Sequence, residues 1–390
     1  MSAPLAGLAV LAGLPGAGAA LHLGLLAAGS LGYREPHPLG PVPPVRFLVL
    51  VPAHNEEAVI GQTLAAIGQQ RRERDRVLVV ADRCTDATVE IARAHGALVL
   101  ERGPDAEPGR AAARQAGIDH AGTLEWDAMV MIDADSIVEP GFFSACERAL
   151  ALDPAPPALQ ARSEAELGRG LLARAALAAF AIQGLTMPRG RDRLGGLVRL
   201  RGTGMVLRRQ VVERFVFTAP ASEDLFYSLD LCLAGLRPRH VESARLRSAS
   251  ARSWKAAGGQ KQRYEAGRTA AARAYLTRML AKGAGGDRAA LEAAWWLATP
   301  PFAVAAASLV SGTVLAVASG VAPVAWAMGV LLAVLSAVLV VALIQARAGL
   351  GTWLSLLAAP WYMAWKLAVQ ARALASVRRG QRDFGPTARR

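Results

Sequence analysis

Three things are scarce in this 390-residue chain, and each scarcity closes off a class of protein. Cysteine occurs three times, at Cys84, Cys146 and Cys232. An odd, scattered set without metal-ligand spacing excludes a disulfide framework and a cysteine-held metal, and predicts buried thiols in a reducing compartment. The six histidines show no metal-site pattern either. Lysine is nearly absent: 40 of the 44 basic residues are arginine, and aromatics make up only 6%. With so much Ala and Gly, the Arg excess behind the net charge of +13 partly reflects biased composition. No recognition motif and no interleaving of aromatics with cations accompanies it, so nucleic acid is not expected as a partner.

Charge itself is missing from two long runs. Residues 5–31 contain one ionisable side chain, His22, and residues 295–345 contain none. A helix needs about 20 predominantly apolar residues to cross the hydrocarbon core. The first run therefore predicts one membrane span and the second predicts two, broken near Gly320 to Pro323. A cleaved signal peptide fits residues 1–31 badly, because nothing basic precedes the apolar run and no small-x-small site stands out. Basic residues cluster at Arg189 to Arg209, Arg237 to Arg252 and Arg372 to Arg390. On a membrane protein such clusters mark the cytoplasmic side, facing anionic lipid. The expectation is a multi-pass protein of the inner (cytoplasmic) membrane with its polar domain in the cytoplasm.

Between the apolar runs the pattern changes. A Pro-rich connector, Arg34 to Pro44, precedes short apolar runs that alternate with helical patterns. Phe47 to Val51, Val77 to Ala81, Leu98 to Leu100 and Met129 to Ile132 read as strands. Glu56 to Ile67, Asp86 to His95 and Pro108 to Asp119 read as helices. Continuous apolar strands separated by helices predict an α/β domain with a mostly parallel sheet buried on both faces. Ligands of such sheets sit at the carboxyl ends of the strands. Three polar clusters begin there: Pro52 to Glu56, Asp82 to Asp86, and Asp133 to Asp135.

Asp133-Ala134-Asp135 puts two carboxylates two residues apart at a strand end, where side chains with period two point the same way. Two hard oxygen ligands in that place suit Mg²⁺ or Mn²⁺ bridging a diphosphate. Asp82, emerging directly from a strand, is placed to accept hydrogen bonds from a base or ribose. Asp86 and Thr85 read as helix caps. Gly109-Arg110 opens a helix whose free N–H groups and guanidinium suit phosphate, although a plain helix start explains it equally well. Ser222-Glu223-Asp224 places two acids before an apolar helix, either capping it or supplying a general base. Gln260-x-x-Arg263-Tyr264 presents an amide, a cation and an aromatic on one face of a helical turn.

In that order these motifs resemble the membrane-bound family 2 inverting glycosyltransferases, the group holding cellulose, chitin and hyaluronan synthases and many bacterial exopolysaccharide and glycolipid enzymes. The likeness covers residues 46–270. It implies a GT-A-type, Rossmann-like nucleotide-sugar domain with flanking transmembrane helices. Pro52, His54, Asn55 and Glu56 match the opening nucleotide-contact strand, with Asp82, Arg110 and Asp133 also on the donor side. Asp133 and Asp135 match the metal and diphosphate motif, and Glu223-Asp224 the motif whose Asp is the catalytic base. Gly202, Thr203 and Gly204 resemble the loop flooring the acceptor site, and Gln260, Arg263 and Tyr264 the Gln-x-x-Arg-Trp signature. The resemblance thus implies a nucleotide-sugar donor, a UDP-sugar first, with Mg²⁺ or Mn²⁺ and a polysaccharide or lipid-linked acceptor. Membrane lipids and polysaccharide-export subunits are the candidate partners.

Two departures stand out. Tyr264 replaces the signature Trp, and the chain has fewer spans than the large synthases, which puts processive synthesis in doubt. Single addition to a glycolipid is the alternative, and a membrane nucleotidyltransferase would share the sheet and the metal acids without needing Glu223-Asp224. The expected organisation is an N-terminal span (1–33), a catalytic domain (45–290), two spans (291–347), and an interfacial helix with a basic tail (348–390). Residues 165–187 and 353–377 are expected to lie along the membrane surface rather than cross it.

Overall fold

The computed structural model describes residues 2–166, 171–217, 222–249 and 254–378. Its first element, α1 (Ser2–Leu31), is one of three helices long and apolar enough to cross a membrane. The domain that follows alternates strands and helices: β1 (Phe47–Ala53), α2 (Ile60–Gly68), β2 (Arg76–Asp82), α3 (Thr88–Ala94), β3 (Leu98–Arg102), α4 (Arg110–Ala121) and β4 (Ala128–Met131). Next come β5 (Ser136–Val138), α5 (Phe142–Leu150), β6 (Ala158–Glu166), α6 (Leu171–Ala181), a π-turn over Ile182–Thr186 and α7 (Met187–Leu194). The domain continues through β7 (Met205–Arg208), α8 (Arg209–Arg214), α9 (Glu223–Leu233), β8 (Arg239–Ala249), α10 (Trp254–Ala284) and α11 (Arg288–Ala298). The chain then runs through α12 (Phe302–Ser319), α13 (Ala322–Gln345), α14 (Leu350–Ser355) and α15 (Ala359–Arg378).

The eight strands form one sheet in the order β3-β2-β1-β4-β7-β6-β8-β5. β3, β2, β1 and β4 are mutually parallel, as expected. The remainder departs from the expectation: β4–β7, β7–β6 and β8–β5 are antiparallel, so the sheet is mixed. Burial on both faces explains the unbroken apolar character of β1. Phe47, Val49 and Val51 pack with Ile60, Leu64 and Ile67 of α2 on one face. Leu48 and Leu50 pack with Ala113 of α4 and with Met129 and Leu207 on the other.

Helix boundaries differ from the sequence reading in two informative places. The first helix begins at Ile60 rather than Glu56. Asn55 takes a left-handed backbone, and the Glu56 carbonyl accepts from the Val59 and Ile60 amides in a turn. The second apolar run breaks at Thr299-Pro300-Pro301, so its first part belongs to α11 and the candidate span starts at Phe302. The other break falls at Gly320-Val321, as expected. α1 packs directly on α12, where a Cβ on Gly312 would come within 2.9 Å of the Gly13 Cα. Small residues permit this backbone approach between spans.

Several arginines in and around the basic cluster beginning at Arg189 are paired within the fold. Arg189 and Arg162 pair with Glu242, Arg239 with Asp192, and Arg191 with Glu292. Glu292 also bonds His22 of α1 at 2.8 Å and the Leu197 amide at 3.1 Å. One carboxylate on α11 therefore fastens α1 to the domain.

Candidate active site

The carboxyl ends of β1 and β2 are knitted together by short polar contacts. His54 Nδ1 lies 2.6 Å from the Asp82 carbonyl, and Asn55 Oδ1 accepts from the Thr85 amide at 2.8 Å. Glu57 and the Asp86 loop exchange bonds in both directions, Glu57 N to Asp86 Oδ2 and Ala87 N to Glu57 Oε2. Asp86 also accepts from the Thr88 amide and hydroxyl, although Ala87 rather than Asp86 or Thr85 is the N-cap of α3. Asp82 is buried, and its carboxylate is engaged by Arg102 at 2.6 Å and Arg83 at 3.3 Å. The Pro52–Glu56 segment and the Asp82–Asp86 segment are thus held against each other at the strand ends.

The Asp133 turn follows β4, which lies beside β1 on the side away from β2. The Asp133 amide donates to Thr203 Oγ1 at 3.2 Å, and Thr63 of α2 donates to the Ala134 carbonyl at 2.8 Å. The turn is therefore pinned on both sides. Arg110 opens α4 and reaches Asp133 Oδ2 at 3.2 Å. That carboxylate, ahead of the other acids nearby, raises the Arg110 pKa. One turn further along the same helix, Arg114 is fully buried. It donates to Glu223 Oε1 at 2.6 Å, to the Gly202 carbonyl at 2.6 Å and to Asp133 Oδ1 at 3.3 Å. Asp133, Gly202 and Glu223, predicted from separate stretches, thus meet on a single guanidinium.

Gly202 and Gly204 both have positive φ, 81° and 68°, which a side-chain-bearing residue would adopt only with strain. Gly202 is also close to Asp224: a Cβ there would sit 3.5 Å from Asp224 Oδ2 and 3.4 Å from Arg114 Nη2. Ser222, with φ 58°, turns the chain into α9. Asp224 Oδ1 accepts from the Leu225 amide at 2.8 Å, and its other oxygen faces Gly202. Burial first, then the neighbouring Glu223 charge, pushes the Asp224 carboxyl up to about 6 against the opposing pull of Arg114.

Asp133 and Asp135 are the hard-oxygen pair expected to hold Mg²⁺ or Mn²⁺. Among the described residues no third His, Cys, Asp or Glu joins them in a metal-sized cluster. The pair suits a cation whose remaining positions are taken by diphosphate oxygens and water, the usual arrangement for Mg²⁺.

Arg263 and Tyr264 lie on α10, as does Gln260, whose side chain falls outside the described residues. Tyr264 is 40% exposed, and its hydroxyl accepts from Arg199 at 3.1 Å. Arg199 stacks on Trp296, 3.8 Å from the ring centre. Arg201 links this face to the acids, because it lies within electrostatic reach of both Tyr264 and Asp224.

A profile described as "Glycosyltransferase like family 2" matches residues 43–267, more than half of the chain and all of the sheet. The chain belongs to that family. The transferase is also similar to the 4,4'-diaponeurosporenoate glycosyltransferase of Staphylococcus aureus (strain bovine RF122 / ET3-1), 38% identical over 90 residues. That match spans 22% of the chain and 23% of the relative. Its fold resembles the mannosyltransferase PcManGT of Pyrobaculum calidifontis, solved with GDP-Man and Mn²⁺, at 17% identity and a TM-score of 0.57. That alignment covers 97% of this chain and 99% of the other. The chain thus carries a family 2 glycosyltransferase domain on a GT-A scaffold, together with three helices apolar enough to span a membrane.

Two residues central to the transferase's site escaped the sequence reading. Arg114 is one, and its signal was present in the i, i+4 spacing from Arg110, which puts both on one helix face. Gln160 is the other: it is buried, donating to the Thr203 carbonyl at 3.0 Å and accepting from the Arg201 amide at 2.9 Å. It holds the 201–204 loop against the sheet.

Proposed function

We propose that the transferase moves a sugar from a nucleoside diphosphate donor to a hydroxyl of a membrane-associated acceptor, inverting the anomeric centre. The observation that carries this reading is the convergence of Asp133, Arg114, Gly202 and Asp224. Arg114 bonds both Asp133 and the Gly202 carbonyl, and Asp224 Oδ2 lies beside Gly202 within electrostatic reach of the same guanidinium. A candidate diphosphate acid and a candidate base thereby gather around one buried arginine.

Pro52, His54, Asn55, Glu56 and Asp82 would line the nucleotide side of the cleft. Asp133 and Asp135 would hold Mg²⁺ or Mn²⁺, which when bound supplies electrostatic stabilisation of the diphosphate leaving group. Arg110 and Arg263 would add positive charge beside that diphosphate. Asp224, with its pKa pushed up to about 6, remains mostly ionised near neutral pH yet is basic enough to accept a proton. It would take the proton of the acceptor hydroxyl as that oxygen attacks the anomeric carbon. Glu223 would act through Arg114, holding the guanidinium that positions Asp133 and the Gly202 loop. Tyr264 would stack the acceptor.

The membrane arrangement follows from charge. Arg34 and Arg46 follow α1 directly, and the positive-inside bias favours the cytoplasm for that side and for the domain. α12 and α13 would cross twice and return the chain to the cytoplasm at Arg347, with α15 along the surface. A screen of UDP- and GDP-sugars for Mn²⁺-dependent diphosphate release, with NMR of the product anomer, tests the proposal. An α-linked donor is expected to yield a β-linked product, and a retained α-linkage overturns the single-displacement reading.

A further inference from the structure

Where the first span meets the domain, a cavity of about 170 Å³ opens between α1, α10, α12 and α15. Leu23, Ile182, Phe302, Leu339, Trp361 and Met363 make most of its wall apolar. Two of the chain's four lysines, Lys261 and Lys366, stand on the same lining. The charged groups facing the cavity are unbalanced. Among the described residues Glu265 is the one acid on the lining; it lies 4.0 Å from Arg268, and its charge also acts on Lys261 and Lys366. Arg268 itself donates to the Trp296 and Thr299 carbonyls at the end of α11.

Among the described residues, Lys261, Lys366 and Arg201 make no ion pair. Burial holds all three below their usual pKa; for Lys366, burial and then the charge of Lys261 bring it to about 7. Lys261 also feels Arg201, which in turn feels Asp224. Among the described residues, Lys261, Lys366 and Arg268 share the single carboxylate of Glu265 on this lining, so cations are in excess there and an arriving anion would pair with them.

We propose that the acceptor is an acidic amphiphile, with its apolar chain in this cavity and its acidic head on Lys366, Lys261 and Arg201. The inference rests on the transfer reading above and names its acceptor class. A neutral glycan would leave these cations unpaired, and a nucleotide has no use for the apolar wall. The acidic group anchors the molecule, and a hydroxyl beside it reacts. The hydroxyl oxygen forms the bond to the anomeric carbon and its proton passes to Asp224. The bond from sugar to diphosphate breaks, its electron pair leaving on the nucleoside diphosphate.

The test uses the purified full chain in neutral-detergent micelles and three probes of equal chain length: dodecyl phosphate, dodecanoate and dodecanol. Calorimetry is expected to show at least one acid binding about 10-fold more tightly than the alcohol, a difference of about 1.4 kcal/mol. Whichever acid binds more tightly identifies the head as phosphate or carboxylate. The double variant Lys261→Gln, Lys366→Gln is expected to bind acid and alcohol alike, and butyl phosphate is expected to bind the wild type far more weakly than dodecyl phosphate. Equal binding of dodecanol and both acids to the wild type overturns the proposal, and so does an acid preference that survives in the double variant. If the variant does not fold, the head-group and chain-length comparisons on the wild type still decide. Donor hydrolysis with Mn²⁺ on the same wild-type sample separates the two readings. Hydrolysis without acid preference sinks only this one, while no hydrolysis of any nucleotide sugar sinks the transfer reading.

Discussion

Arg114 of α4 and Glu223 of α9 form an ion pair of 2.6 Å in which the arginine is wholly buried, although 109 positions separate them in the chain. The same guanidinium holds Asp133 and the Gly202 carbonyl, so one side chain ties the Asp133 turn to the loop that Asp224 approaches. Arg114→Ala should therefore cost both stability and chemistry. Removing one partner from a buried pair destabilises by about 3–5 kcal/mol, because the remaining charge is stranded. Denaturant unfolding reads that loss, and an Arg114→Ala protein of wild-type stability would remove Arg114 from this role.

Transfer should depend on pH through Asp224. The base must be ionised to accept a proton, and its carboxyl is pushed up to about 6. The rate is expected to fall as pH drops through about 6 and to level off above it, in a kcat profile at saturating donor. A rate that stays flat down to pH 4.5 would place the base elsewhere.

Metal dependence should run through Asp135. Loss of a partner that merely supports a metal ligand already costs about 10–100-fold in affinity. Asp135→Ala is expected to weaken Mn²⁺-dependent donor binding by at least that much, as read by titration of the donor with and without Mn²⁺. Identical titrations for variant and wild type would refute the assignment.

At Tyr264 the phenol hydroxyl has one visible task, accepting from Arg199. Tyr264→Phe should therefore be mild, costing at most the roughly 0.5–1.5 kcal/mol of a single hydrogen bond. Tyr264→Ala additionally removes the aromatic face, worth about 0.5–1.5 kcal/mol beyond buried area, and should raise the acceptor KM further. Equal kinetics for Ala and wild type would reduce the motif to an ordinary helix surface.

Much of the site was readable before the fold, for a physical reason. In the parallel half of the sheet, strands buried on both faces are written as unbroken apolar runs, so their carboxyl ends and the acids beyond them stand out. The antiparallel half was not read. β6, β7 and β8 mix apolar residues with charges such as Arg162, Glu164, Arg208, Arg245 and Arg247, many of which pair with other elements. Arg114 was hidden by composition, since one more arginine in an arginine-rich chain carries no signal until its helix face is known. The helix start at Glu56 was misplaced because nothing in Glu56-Glu57-Ala58-Val59 forbids a helix. The turn there is set by the left-handed Asn55 and its bonds to Thr85.

Topology can be read with two introduced cysteines in a cysteine-free background. Ala348→Cys, between α13 and α14, should react with an impermeant maleimide only from the cytoplasmic face. Val321→Cys, between α12 and α13, should react only from the opposite face. The reverse labelling would turn the whole arrangement over.

The most direct test of the central claim, that Asp224 is the base of the transfer, is Asp224→Asn assayed twice on one preparation. Donor affinity is measured by calorimetry and transfer by product formation at saturating donor. The amide preserves the shape and the cleft but cannot take the proton. The account predicts donor affinity close to wild type and transfer slower by roughly 10²–10⁴-fold. Wild-type turnover in the Asn variant would contradict it.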